Sequence, residues 1–199
     1  VVTGWAVDDG WRLEADDGTD LGVFGTVVVA VPAPQAAPLL AGSAIEHAAL
    51  NVTMEPCWAV MAGFGEPLGL DFDGAFVHNS PLAWVARNSS KPGWPPTEAW
   101  ILHASASWSR AHLEQAPDQT VPDLLEALGA VLGRSLPAPD VATAHRWRFA
   151  APAKPLGVRC LADEDRRIYA CGDWCLSNRI EGAFMSGLAA ASAILSHQR

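Results

Sequence analysis

At 199 residues the chain is long enough to bury a core without covalent staples, as one compact unit or two small ones. Half of its residues are hydrophobic and 18% are charged, which excludes a disordered or solvating tail. The 22 acidic against 13 basic residues give a net charge of −9, a sign that repels phosphate backbones and anionic lipid, so neither nucleic acid nor a membrane surface is expected as a partner.

Four cysteines, Cys57, Cys160, Cys171 and Cys175, are too few for a disulfide scaffold and form no C-x-x-C pair. No metal site is expected, and a reducing cytoplasm fits best. No secretory signal pattern opens the chain, and its longest apolar run, near Ala183 to Leu195, is too short to span a bilayer. A soluble, cytoplasmic protein follows as the expectation. Val1 leads straight into a strand-like stretch without a turn or cap, so the sequence reads as part of something longer.

In chain order, Trp5 to Val7 and Trp11 to Ala15 read as short extended segments. An Asp16-Asp-Gly turn follows, then the β-branched run Thr26-Val-Val-Val-Ala-Val31. That run predicts a strand buried on both faces, as in an α/β sheet. Pro32 stops it, and Ala33-Pro-Gln-Ala-Ala-Pro-Leu-Leu after it reads as a loop entering a short helix.

Cys57 to Phe64, Ala75 to Asn79, Leu82 to Asn88, Glu98 to Ala104 and Val141 to Phe149 read as strands in which apolar and polar positions often alternate. Such alternation predicts an antiparallel sheet with one face covered. Trp108 to Gln115 and Val121 to Leu132 read as helices, the second with Pro122 near its first turn. This middle stretch looks like an inserted α+β module. The chain then returns to an apolar strand, Arg167 to Cys171, a Gly172-Asp173 turn and a closing helix from about Glu181 to His197.

The segment Ile168-Tyr-Ala-Cys-Gly-Asp-Trp-Cys-Leu-Ser-Asn-Arg-Ile-Glu-Gly-Ala is the most informative. It sets an acidic turn at the carboxyl end of a strand, then a helix with Gly182 in its first turn and Gly187 in the next, where small residues permit close approach. A helix start presents unpaired N–H groups and a positive dipole end to an electron-rich group, and Asp173 can accept bonds from sugar hydroxyls. From spacing alone, a plain strand-turn-helix with a solvated aspartate and packing glycines is the reading favoured.

That segment resembles the C-terminal flavin-binding motif of the renalase-like branch of the FAD-dependent amine oxidase superfamily. Val27-Val-Val-Ala-Val-Pro-Ala-Pro-Gln-Ala, Ala86-Arg-Asn-Ser-Ser-Lys-Pro-Gly and His145-Arg-Trp-Arg-Phe-Ala are similar to the same family, in the same order. The resemblance implies FAD as cofactor. It implies that Gly172 and Asp173 lie near the ribityl and pyrophosphate part, and that Arg179, Ile180, Glu181 and Gly182 bring backbone N–H groups to the flavin N1 and O2 edge. It aligns Val2 with a short strand whose backbone meets adenine.

The implied architecture is α/β plus α+β: the remnant of a FAD-binding Rossmann-like domain, residues 1–45 and 156–199, with an inserted antiparallel-sheet substrate domain, residues 46–155. His145 and Trp147 share one strand face by period-two alternation and become pocket-wall candidates, with Arg87, Asn88 and Lys91 as a polar cluster toward an anionic or nucleotide-like substrate. Where the family often has an arginine after Lys-Pro-Gly, this chain has Trp94. His103 alternates with apolar neighbours and suits the sheet core or a pocket; Cys175 suits a buried inert thiol. No G-x-S-x-G, H-E-x-x-H or P-loop pattern occurs, which argues against a hydrolase, a zincin and an NTPase.

The G-x-G-x-x-G unit that cradles a dinucleotide pyrophosphate is absent from the 199 residues. It has been removed, lies outside this sequence, or comes from another chain; Val27, Val29 and Val31 should then be less buried than their composition suggests. The activity implied is hydride transfer from a small-molecule donor, a dihydronicotinamide nucleotide or an amine, to FAD, with reoxidation by O2 and no side-chain base demanded. The competing reading is a non-catalytic fragment or split-protein module that associates with itself or a partner through an open sheet edge. An aromatic-lined carrier of small ligands, resting on the nine tryptophans, is a third.

Overall fold

The computed structural model describes residues 2–7, 10–95 and 97–197, and the chain divides into two compact units. The first comprises Val1–Met54 and Ala151–Arg199, the second Glu55–Ala150.

In the first unit, β1 (Val2–Val7), β2 (Gly10–Ala15) and β3 (Asp20–Phe24) form an antiparallel meander. β3 was not visible in the sequence: Gly22, at φ 97°, and a register shift at Leu13/Glu14 interrupt its alternation. A second sheet has the order β10-β11-β4, with β4 (Val27–Val29) parallel to β11 (Ile168–Ala170) and β10 (Leu161–Asp163) antiparallel to it. Pro32 precedes α1 (Ala33–Leu39), α2 (Glu46–Leu50) follows, and α5 (Asp173–Leu176) and α6 (Ile180–His197) close the chain.

The core here gathers Trp11, Val29, Leu40, Ile168 and Trp174. Two of its indoles donate to loop carbonyls, Trp11 Nε1 to Arg166 O at 2.7 Å and Trp174 Nε1 to Val31 O at 3.0 Å, so each ring is buried without orphaning its N–H. β4 is the edge of its sheet, and the valine run is not buried on both faces as its composition predicts: Val28 is 45% exposed and Val27 and Val31 are half-buried. Val29, at 5% exposure, departs from the expectation of a bare edge, because its side chain joins the core beside Ile168. A cavity of about 270 Å³ runs along β4 between Trp11, Leu13, Val27, Val31, Leu39 and Ile168.

In the second unit, β5 (Met54–Phe64), β6 (Gly74–Phe76), β7 (Leu82–Arg87), β8 (Glu98–Ala104) and β9 (Val141–Pro152) form a five-stranded sheet of order β6-β7-β8-β5-β9. α3 (Ala106–Ala111) and α4 (Pro117–Leu132) belong to the same unit, with Trp108, Leu124 and Leu128 packed in one cluster with Trp58, Val60, Val85 and Leu102 of the sheet. The helices sit earlier than their apolar spacing predicts. Ser105 Oγ accepts the Trp108 N–H and starts α3, His112 stacks on Trp108 at 4.1 Å and ends it, and Pro117 fits the first turn of α4, where no N–H is needed. Gly133, at φ 65°, supplies the left-handed residue that stops α4.

Candidate functional site

Two clusters of sequence-predicted residues assemble, one in each unit. In the first unit, β11 ends at Gly172, whose extended backbone passes so close to Trp174 that a Cβ would meet the indole at 2.7 Å. The Gly172 N–H donates to the buried Ser186 Oγ at 3.1 Å, which ties the strand end to the second turn of α6. Asp173 turns its Oδ1 to the Trp174 N–H at 2.8 Å.

The chain then runs through Ser177 and Asn178 into α6. Arg179, Ile180 and Glu181 are exposed, Ile180 by 88%, while Ser177 lies against the first turn of the helix. Glu181 complements the positive end of the dipole. Gly182 is buried, and a Cβ there would overlap the Oγ and carbonyl oxygen of Ser177. Gly187 meets nothing within 4 Å. Of the two glycines that look alike in sequence, the first permits a close backbone approach and the second does not. Cys175 is fully buried beside the Ala170 carbonyl, and burial pushes its thiol up to about 12, which holds it in the protonated, unreactive form. Of Val2, at the head of β1 and paired with Ala15, only the backbone is described.

In the second unit, the sheet has two unlike faces. Trp58, Val60, Leu82, Val85, Trp100 and Leu102 face the helical layer. The alternate positions form the other face, and the pairing Phe76↔Trp84↔His103↔Ala59 sets one row across β6, β7, β8 and β5. Beside it, on β9, His145 and Trp147 meet edge-on at 4.4 Å, and both are exposed. Val141 reaches the same face, since a Cβ on Gly63 would lie 3.0 Å from its Cγ1. Burial and the charge of Lys91 hold the His103 imidazole below its usual pKa, so it is neutral at physiological pH.

Arg87 and Asn88 do not join His145 and Trp147. Arg87 pairs with Trp100 across the ladder and so faces the helix-covered side. There it lies over the Trp100 ring at 5.1 Å, donates to Leu70 O at 2.6 Å and sits 3.5 Å from Asp73 and 3.9 Å from Glu98. The Glu98 Oε1 in turn accepts from Leu68 N at 3.0 Å and Trp100 Nε1 at 2.8 Å. Asn88 lies in a single 3-10 turn and accepts from Lys91 Nζ at 2.7 Å. Lys91 and Asn88 bond to each other while Arg87 bonds elsewhere, and both sets of bonds anchor loops.

Phe76 and Trp84 were not singled out in the sequence. Only alternation within each strand was readable there; the register that aligns them, which includes a shift between Leu82 and Trp84, was not. Among the described residues no group of three or more His, Cys, Asp or Glu could hold a metal, and no helix is long and apolar enough to cross a membrane.

A family model for flavin containing amine oxidoreductases matches residues 5–195. The chain belongs to that family. A flavin, FAD, is therefore the cofactor that goes with this fold. Among solved structures, the chain is similar to cyclohexylamine oxidase from Brevibacterium oxydans IH-35A, with 16% identity, TM-score 0.71, all of this chain and 48% of that one covered. It is similar to a putrescine oxidase bound to putrescine, with 16% identity, TM-score 0.64 and coverage of 97% and 47%. It is also similar to a protein assigned as a protoporphyrinogen oxidase from Exiguobacterium sp. 255-15, with 16% identity, TM-score 0.75 and coverage of 98% and 46%. The chain spans about half the length of the solved proteins it matches.

Proposed function

We propose that this chain forms part of a FAD-dependent oxidoreductase of the renalase-like branch, taking a hydride from an amine or a dihydronicotinamide nucleotide. The observation that carries the reading is the exposed start of α6, at Arg179 to Glu181, just past the Gly172-Asp173 turn, in a chain that a flavin-enzyme family model matches over residues 5–195. FAD bound there would supply the hydride acceptor and pass the electrons to O2 as hydrogen peroxide.

The chain's own residues have definable tasks. The N–H groups of Ile180, Glu181 and Gly182, with the dipole behind them, stabilise negative charge that gathers on the reduced ring. Gly172 and the Asp173 carboxylate face the ribityl and pyrophosphate part, and the Gly172–Ser186 bond fixes the turn to the helix. The backbone of Val2 is the adenine contact. His145 and Trp147 form the donor wall, while Arg87 and Asn88 anchor loops elsewhere in the second unit. The remnant of a Rossmann-like domain then corresponds to the first unit and the substrate domain to the second.

The test is the spectrum of the purified full-length polypeptide. The flavin band should be present, bleach when an amine or dihydronicotinamide donor is added without oxygen, and return on aeration with release of peroxide. A folded full-length protein that retains no flavin refutes the proposal.

A further inference from the structure

We infer that Cys160 and Cys171 form a cross-strand dithiol that hydrogen peroxide closes to a disulfide, stapling the mouth of the β10–β11 hairpin next to the Gly172-Asp173 turn. The inference goes beyond the flavoenzyme reading and stands or falls without it.

Three observations carry it. The first is register. β10 and β11 pair as Leu161↔Ala170, Ala162↔Tyr169 and Asp163↔Ile168, so one step past the ladder Cys160 stands opposite Cys171. The second is the kind of pair they make. Cys171 N donates to Val29 O at 3.1 Å and Val27 N to Arg167 O at 3.1 Å, so alternate residues from Arg167 to Cys171 turn their backbone polar groups toward β4. The residues between, Ile168 and Ala170, turn theirs toward β10 and make its hydrogen-bonded pairs. Cys160 and Cys171 are therefore a non-hydrogen-bonded pair, in which the Cα atoms approach to about 4.5 Å and the side chains share one face. That separation lies inside the window of roughly 4.4–6.8 Å that a disulfide spans. The third is tethering. Val158 N donates to Cys175 O at 2.9 Å and Leu156 N to Trp174 O at 3.0 Å, so the chain is held beside the Cys171 segment before Cys160 as well as after it. The charge of a Cys160 thiolate accordingly raises the Cys171 thiol, as their closeness requires.

Both thiols are free, Cys160 half-buried and Cys171 buried. Burial raises both, so neither is a reactive thiolate in its own right, and juxtaposition is what marks the pair. Cys175 does not compete. It is fully buried in the core with Ala170, whereas Cys171 alternates with Ala170 and faces the other side of the sheet.

The chemistry balances in two steps. The more accessible Cys160 sulfur attacks one oxygen of the peroxide as its thiolate, the O–O bond breaks, and a sulfenic acid and hydroxide result. The Cys171 sulfur then displaces hydroxide from that sulfenic acid as the S–S bond forms, and the thiol protons leave in water. Two thiols are oxidised and one peroxide is reduced to water. The staple closes the open end of the hairpin directly before Gly172, whose N–H is bonded to Ser186.

The experiment treats the reduced, full-length protein with excess hydrogen peroxide or with diamide, alkylates it in urea, and digests it with trypsin and chymotrypsin. Chymotrypsin cuts after Trp174 and so separates Cys171 from Cys175. Either oxidant should give a linked Cys160–Cys171 peptide two hydrogens lighter than its parts, which dithiothreitol separates. Closing the loop 160–171 should raise the melting temperature by roughly 5–10 °C. Cys160→Ser, a near-isosteric change at a half-buried position, should show neither the linkage nor the shift. Thiols that stay alkylatable under both oxidants, a linkage to Cys175 or Cys57 instead, or the same shift in Cys160→Ser overturns the inference. The flavin content of the samples bears on the proposed function alone.

Discussion

Gly182 and Gly187 occupy successive turns of α6 and should respond to the same substitution with opposite signs. A methyl on Gly182 lands on the backbone oxygen of Ser177 as well as its hydroxyl, so no rotamer change relieves it. Either the Ser177–Asn178 turn or the first turn of α6 must move, at an overpacking cost of about 1–3 kcal/mol. For a chain of this size each kcal/mol lowers the melting temperature by roughly 2–4 °C, so Gly182→Ala should melt some degrees lower. Because the part that moves is the part proposed to face the flavin, FAD should be lost as well. A methyl on Gly187 meets nothing within 4 Å. Alanine there replaces a poor helix former with the best one, a gain of about 0.5–1 kcal/mol. The assay is a thermal melt together with the absorbance ratio of flavin to protein, on the full-length polypeptide. Gly182→Ala with wild-type melting and full FAD would refute the close-approach argument. Gly187→Ala that sheds FAD would move the cofactor to a different face of the helix and overturn the assignment.

Glu98→Ala removes the acceptor of both Leu68 N and Trp100 Nε1, and should destabilise the second unit by about 3 kcal/mol in urea melts, whereas Glu98→Gln keeps a carbonyl there and should cost about 1 kcal/mol; equal losses would mean that charge rather than hydrogen bonding anchors the loop. The depressed pKa of His103 means that the unfolded chain binds the extra proton first. Stability should be undiminished well above pH 6.5, fall as pH drops through 6.5, and level off below the folded-state value. His103→Asn should remove that portion of the slope, and an unchanged slope would refute it. Burial raises the thiols of Cys57 and Cys175 to about 11 and about 12, so neither should react with iodoacetamide at pH 8 until urea unfolds the chain, as followed by mass spectrometry.

Why one half of the candidate site was legible in the sequence and the other was not follows from how each is built. Gly172 to Gly182 is a contiguous strand-turn-helix: its chemistry lies along the chain, and the Gly172-Asp173 turn and the length of α6 are read without knowing any long-range contact. β8 was equally plain, because Trp100, Leu102 and Ala104 alternate strictly with Ile101 and His103. The row Phe76–Trp84–His103 is different in kind. Each residue belongs to a different strand, and its neighbours are fixed by register, which in β7 depends on an irregularity between Leu82 and Trp84 that no period-two pattern announces. A slip of one residue there would set Val85 against His103 and turn Trp84 into the core, so composition alone could not choose. The same logic explains Arg87. In sequence it sits among Asn88, Ser89, Ser90 and Lys91 and looks like part of a solvent-facing polar loop, but its ladder partner is Trp100, and that pairing sends the guanidinium to the covered side. Short elements fail for a related reason: β10 has three residues and α2 five, too few for any period to register, and what ties their neighbourhood together is the distant bond from the Ala44 N–H to Asp163, which no local pattern announces. A residue's chemistry can be read from one chain, but the face on which that chemistry is spent is a property of pairing.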